Sequence, residues 1–151
     1  MISLLGPDSS FNIFSFIGNK LDDVLKIDIA TLRSLIFHNR IVAIGDVNGD
    51  GSLSKLMVIA APDVGSPCIS LMLLYYTDDE EFVRQALKLC DRHYYQYFSK
   101  IKLRSDKSEI PISLVKAGFK QEVCGPNGLN IFSFFLPSYN QSKGASLYKS
   151  Q

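Results

Sequence analysis

Residues 112–123 read ISLVKAGFKQEV, and this stretch says most about the fold. A short apolar segment runs into Gly118-Phe119 and then into a charged, strand-like segment. Glycine commonly follows the last residue of a helix, because it adopts positive φ without a Cβ clash. Proline is common in the first turn of a helix. The stretch therefore predicts a short helix around residues 111–117, with Pro111 in its first turn and Gly118 at its end, followed by a strand over 120–123.

The segment upstream predicts a strand, a long helix and a second strand. Residues 69–76 (ISLMLLYY) are apolar on both faces, which is typical of a central strand. Apolar side chains then recur at helical spacing within residues 80–98. They are Val83, Ala86, Leu87, Cys90, Tyr94 and Tyr97. The sequence TDDE at 77–80 matches a capping box with Thr77 as the N-cap. A short strand follows at 100–103, and another over 129–136 after a GPNG turn.

A β-hairpin is predicted before the central strand. Residues 40–47 (RIVAIGDV) and 55–62 (KLMVIAAP) are strand-like, and VNGDG between them is turn chemistry. Residues 46–51 also resemble the start of a calcium loop, DxNxDG. Such a loop needs a bidentate carboxylate at its twelfth position, and Met57 stands there. We therefore predict a hairpin turn and no metal site.

The chain of 151 residues suits one domain, predicted over residues 1–137. The first 40 residues leave two alternatives open. Residues 12–17 (NIFSFI) suit a strand, with a loose helix over 21–35; alternatively, residues 34–37 form a strand that turns at His38-Asn39. Residues 138–151 are rich in Ser, Asn, Gln and Lys, which predicts a disordered tail.

Composition excludes several classes of protein. The formal net charge of +1 gives no basic face for nucleic acid. No apolar run reaches the roughly 18 residues of a membrane span. The three cysteines lie far apart and form neither a disulfide framework nor a metal knuckle. A cytoplasmic protein is the expectation.

Over residues 40–136 the order of elements resembles the GNAT acetyltransferase family. The strongest local matches are QALKLC at 85–90 and LVKAGFKQE at 114–122. The resemblance implies an α/β fold, with a mixed, mostly antiparallel central sheet flanked by helices. It also implies acetyl-CoA as cosubstrate and a primary amine, on a small molecule or a peptide, as acceptor.

The resemblance implies a site for acetyl-CoA between the strands at 69–76 and 100–103. Backbone groups of Leu73, Leu74 and Tyr75 would pair with the pantetheine arm. The start of the long helix, at Phe82, Val83 and Arg84, would meet the pyrophosphate. Family members carry a glycine-rich turn there, whereas residues 75–87 contain no glycine and four consecutive acids at 78–81.

Two further positions depart from the family's pattern. The tyrosine that protonates the leaving thiolate in many members matches Leu114, and a common asparagine matches Lys107. Tyr75 and Tyr76, at the end of the central strand, are the candidates to replace that acid. The chain is therefore identified as a degenerate member of the family.

Three hypotheses follow for the function. The first is acetyl-CoA-dependent N-acetyl transfer. The second is a GNAT-like binding or scaffolding module without catalysis, acting through a protein partner or as a homodimer. The third is an unrelated α/β domain whose match is coincidental.

Overall fold

A computed structural model describes residues 1–18, 27–61, 70–94, 98–124 and 129–139. Within these ranges, seven strands form one sheet in the order β1-β2-β3-β4-β5-β7-β6. The strands are β1 Ile2–Leu5, β2 Ile41–Val47, β3 Leu53–Ala60, β4 Ser70–Tyr76, β5 Lys100–Ser105, β6 Lys120–Cys124 and β7 Asn130–Phe135. The helices are α1 Ser10–Ile17, α2 Ile29–Phe37, α3 Glu80–Tyr94 and α4 Ile112–Ala117. All neighbouring strands are antiparallel except β4 and β5, which run parallel.

This architecture confirms the predicted fold class of a mixed, mostly antiparallel sheet flanked by helices. Each face of the sheet has its own buried cluster. The α3-side cluster comprises Val42, Ile44, Met57, Ile59, Leu71, Leu73, Phe82, Val83, Ala86, Leu87, Cys90, Ile101, Leu114, Phe119, Phe132 and Leu136. The α1-side cluster comprises Ile13, Ile17, Leu32, Ile36, Ile41, Ala43, Leu56 and Val58. Because side chains alternate along a strand, β2 and β3 supply both clusters.

Both strand alternatives for the first 40 residues are wrong. Residues 12–17 lie in α1, whose Ile13 and Ile17 are buried four residues apart, on one helical face. Residues 34–37 lie in α2, which begins at an N-cap, Asp28, whose side chain accepts the Thr31 N–H at 2.7 Å. The loosely helical pattern is confirmed over Ile29–Phe37. Its earlier part, residues 19–26, falls outside the described residues.

The β2–β3 hairpin is confirmed, and side chains in its turn hydrogen-bond to one another. Asp50 accepts hydrogen bonds from the Ser52 N–H at 3.0 Å and the Ser52 hydroxyl at 2.6 Å. Asn48 donates to the same hydroxyl at 3.0 Å. Met57 is fully buried in β3. Among the described residues, no three His, Cys, Asp or Glu side chains converge on a common point.

The predicted short helix is confirmed as α4, with Pro111 at its N-cap, one residue before its first turn. Gly118 ends the helix with φ of 117°. The Gly118 N–H donates to Val115 O at 3.1 Å and the Phe119 N–H donates to Leu114 O at 3.0 Å. This pair of bonds is a Schellman motif. It directs the chain sharply from α4 into β6.

The predicted tail starts at Ser138, and the structure describes only its first two residues. Ser138 is still described, and its backbone N–H and hydroxyl donate to Asp91 of α3 at 3.0 and 2.6 Å. Residues 140–151 lie outside the described part of the chain, as do Cys68, Tyr97 and the GPNG turn.

Candidate functional site

The two parallel strands at the centre of the sheet separate towards their carboxyl ends. β4 pairs with β5 from Ser70–Lys100 to Met72–Lys102. Beyond that pair, β4 stays on β3 as far as Tyr76, while β5 stays on β7 as far as Ser105. Since each strand follows its other neighbour, residues 73–76 have no strand partner in β5. A gap between β4 and β5 opens there, and within the part of the chain that the structure describes this edge of β4 has no strand partner.

A β-bulge at Leu74 decides which way the two tyrosines point. Leu73 pairs with Ile59 and Tyr75 pairs with Val58, which leaves Leu74 without a partner in β3. Leu74 and Tyr75 consequently both pack against the α1-side cluster. Tyr76 packs against the α3-side cluster. The two candidate acids therefore lie on opposite faces of the sheet.

Tyr76 is half-buried at the end of β4. Burial raises the pKa of its phenol, and the nearby Asp78 carboxylate raises it further. A phenol with a raised pKa stays protonated at neutral pH. Tyr76 can thus donate a proton or a hydrogen bond there, but it is a poor base.

The cap of α3 differs from the predicted capping box. Asp79, not Thr77, accepts the Phe82 N–H, at 2.9 Å. The Thr77 hydroxyl is used elsewhere, because it accepts the Leu56 N–H of β3 at 3.0 Å. A carboxylate at this position satisfies one of the free N–H groups of the helix end and interacts favourably with the helix dipole.

The other three acids of the 78–81 stretch also have partners within the chain. Asp78 accepts a hydrogen bond from the Ser113 hydroxyl of α4. Glu80 lies 3.5 Å from Lys116 Nζ, also in α4. Glu81 accepts hydrogen bonds from Arg84 and Gln85, and these lower the pKa of its carboxyl group.

The remaining predicted site residues lie around these contacts. Phe82 and Val83 are buried in the α3-side cluster, so that only their backbone could meet a ligand. The Arg84 guanidinium is held by Glu81. Leu114, which the sequence resemblance matches to the family's tyrosine, is a fully buried residue of α4. Sequence reasoning missed Ser113 and Lys116, because nothing local marks them as partners of residues 78 and 80.

The overall fold is shared with a large group of solved structures. An acetyltransferase of the GNAT family from Streptococcus pneumoniae is similar with a TM-score of 0.66 at 10% identity, covering 89% of this chain and 98% of that one. The fold is that of the GNAT acetyltransferases. A probable acetyltransferase from Staphylococcus epidermidis gives a TM-score of 0.65 at 14% identity, covering 89% of this chain and 98% of that one. A GNAT N-acetyltransferase from Escherichia coli, solved in complex with CoA, gives 0.60 at 11% identity, with 91% and 82% covered.

Sequence comparison gives no further assignment. No family model matches the chain, and no curated protein matches it. Within the described residues, no helix is long and apolar enough to cross a membrane.

The GNAT-type site fits one part of coenzyme A and not the other. The unpaired edge at 73–76 offers backbone donors and acceptors of the kind an extended pantetheine arm can pair with. The α3 start offers four carboxylates and no glycine, whereas phosphate sites at helix ends depend on free backbone N–H groups. The pyrophosphate therefore does not fit this helix start.

Proposed function

We propose that this protein is an N-acetyltransferase that moves an acetyl group from a thioester donor, acetyl-CoA, to a primary amine. The observation that carries the proposal is the separation of β4 from β5 beyond Met72 and Lys102. It provides a backbone edge for the donor within a GNAT fold. The acceptor is proposed to be a small-molecule or peptide amine, in the cytoplasm.

The chain's own residues would act through the end of β4. When bound, the thioester supplies an activated acetyl group that an amine can attack directly. Backbone N–H groups at the bulge would orient and polarise the acetyl carbonyl. Tyr76 would donate a proton to the sulfur as the C–S bond breaks, as the direction of its pKa shift allows, and the proton that the acylated amine loses would return through solvent to the phenolate. Tyr75, on the other face of the sheet, would contact the acceptor amine.

The test begins with calorimetric titration and a thermal-shift assay using acetyl-CoA and CoA. Saturable binding with a raised melting temperature is expected. Thiol release is then measured with a panel of amines, comparing Tyr76→Phe with the matched variant Tyr75→Phe. A proton donor at Tyr76 predicts a lower kcat for Tyr76→Phe with donor affinity unchanged, and Tyr75→Phe should change KM for the amine. Absence of heat and thermal shift at millimolar ligand would remove the transferase proposal.

A second candidate is a GNAT-fold binding module without catalysis. It is favoured by the buried Leu114 and by a groove beside α4 that opens onto apolar side chains. Ile112 and Val115 are 64% and 49% exposed on this surface, and Phe119 and Phe132 lie at its base. Exposed apolar surface of this kind suits a protein partner or a second copy of the chain.

The module predicts an association that the transferase does not need. Sedimentation velocity of the wild type is compared with Ile112→Glu, which places a charge in the groove. Association that this variant abolishes, together with no acetyl-CoA binding, would favour the module. A monomer that binds acetyl-CoA would favour the transferase.

A further inference from the structure

We infer that the protein binds the donor through its pantetheine arm and acyl group alone. The carboxylates at the α3 start occupy the place where the pyrophosphate of the donor would lie. This inference rests on the proposed function and specifies its donor. It assigns the protein to acyl thioesters of pantetheine in general. The adenine nucleotide part of coenzyme A then contributes no affinity.

The first argument is that the anion position of α3 is already filled. A helix N-terminus attracts an anion because its first N–H groups have no partner within the helix. Here the Asp79 carboxylate accepts the Phe82 N–H at 2.9 Å. A phosphate oxygen could take this place only by displacing Asp79. The chain therefore supplies its own anion.

The second argument concerns charge. Three cations of the described residues already form ion pairs with the acids of the helix start: Lys55 with Asp79 at 3.5 Å, Lys116 with Glu80 at 3.5 Å, and Arg84 with Glu81. The fourth acid, Asp78, accepts its hydrogen bond from the neutral Ser113 hydroxyl, so these ion pairs leave one carboxylate charge unbalanced. A pyrophosphate would add like charge.

The third argument is that side chains of α4 bond to the acids at the α3 start. The Ser113 hydroxyl donates to Asp78, and Lys116 pairs with Glu80 on the next turn of α4. The first contact joins α4 to the segment before α3, and the second joins it to the first residue of α3. A bulky anion at the helix start would have to break them, whereas an extended arm along residues 73–76 would not.

The experiment measures dissociation constants by calorimetry for acetyl-CoA, S-acetyl-pantetheine and 3′,5′-ADP. The two thioesters are expected to agree within about threefold, and 3′,5′-ADP should not bind at millimolar concentration. Acetyl-CoA binding at least about tenfold tighter than S-acetyl-pantetheine would overturn the inference and leave the proposed function intact. Failure of both thioesters to bind would overturn the proposed function, and the inference with it.

A charge variant tests the same point from the protein's side. Glu80→Gln removes one acid and releases Lys116 while leaving the Asp79 cap in place. It should tighten acetyl-CoA binding by about twofold to fivefold and leave S-acetyl-pantetheine unchanged. Asp8→Asn is the matched control, because it removes one exposed carboxylate near α2, and it should change neither constant. A Glu80→Gln variant with both constants unchanged would contradict the electrostatic argument.

Discussion

Ser113, in the first turn of α4, donates a hydrogen bond to Asp78, in the segment between β4 and α3. The two residues are 35 positions apart. They belong to the chain segments that leave β4 and β5, the two strands that separate. The bond therefore connects the two chain segments that follow the separated ends of β4 and β5.

The Ser113–Asp78 bond should contribute measurably to stability, because Ser113 is buried. Ser113→Ala is expected to lower the free energy of unfolding by about 1–2 kcal/mol. A double-mutant cycle with Asp78→Asn, followed by urea denaturation, should give a coupling energy of about 1 kcal/mol. Ser108→Ala, at an exposed serine, should change stability by less than about 0.5 kcal/mol. Additive effects in the cycle would show that the two residues do not interact.

Leu114, which the sequence resemblance matches to the family's tyrosine, is a core residue in the structure. Leu114→Ala is expected to cost about 2–5 kcal/mol of unfolding free energy, because the side chain is fully buried. Leu114→Tyr should cost about 1–3 kcal/mol through overpacking. It should not raise turnover with acetyl-CoA. A stable Leu114→Tyr protein with higher kcat would mean that this position opens onto the reacting atoms.

Cys90 and Cys124 should react very differently with alkylating agents. Burial raises the pKa of the Cys90 thiol from 9.0 to about 12, whereas Cys124 is exposed. At pH 8, peptide mapping after iodoacetamide treatment should find Cys124 modified and Cys90 modified only in denaturant. Because the folded pKa is raised, the contribution of Cys90 to stability is complete below pH 9 and is lost as the pH rises towards 12. Rapid modification of Cys90 in the native protein would contradict its position in the core.

Glu122 and Lys100 link β6 to β5 across β7. Lys100 Nζ lies 2.6 and 2.9 Å from the two carboxylate oxygens, and this hydrogen bonding lowers the pKa of Glu122. Because the pKa of Glu122 is lower in the folded state than in the unfolded state, its ionised carboxylate stabilises the protein at pH values above the unfolded-state pKa. This contribution is lost as the pH falls through the folded-state pKa. Glu122→Gln should therefore cost about 0.5–1 kcal/mol at pH 7 and nothing below the folded pKa, as urea denaturation at several pH values would show. Glu109→Gln, at an exposed glutamate, is the matched control and should change stability at pH 7 by less than about 0.5 kcal/mol.

Local signals account for most of what the sequence predicted correctly. Each correct signal lies within a few residues of the element it predicts. These signals are the apolar periodicity of α3, the turn residues of the β2–β3 hairpin and the glycine that ends α4. The match of QALKLC and LVKAGFKQE to the GNAT pattern added the expectation of a mixed, mostly antiparallel sheet flanked by helices. Gly118 illustrates the physics, since positive φ at a helix end favours glycine over other residues.

Long-range contacts account for the errors. Residues 12–17 are an apolar run that suits a strand or a helix, and their packing against Leu56 and Val58 in the α1-side cluster decides in favour of α1. Thr77 and Asp79 can both cap a helix, and the choice depends on Leu56, 21 residues before Thr77, which occupies the threonine hydroxyl. The partners of the acids at 78 and 80 come from α4 in the same way.

The unpaired residue in β4 makes the cleft depend on the register between β4 and β3. Because Leu74 is an insertion relative to the ladder of β3, straightening the bulge without removing a residue would place Tyr75 opposite Met57 and exchange the faces of the two tyrosines. Tyrosine occupies both positions, so the exchange would leave a phenol on each side of the sheet. Chemistry at this strand end would thus tolerate a one-residue slip, whereas the hydrophobic surroundings of each ring would not be the same.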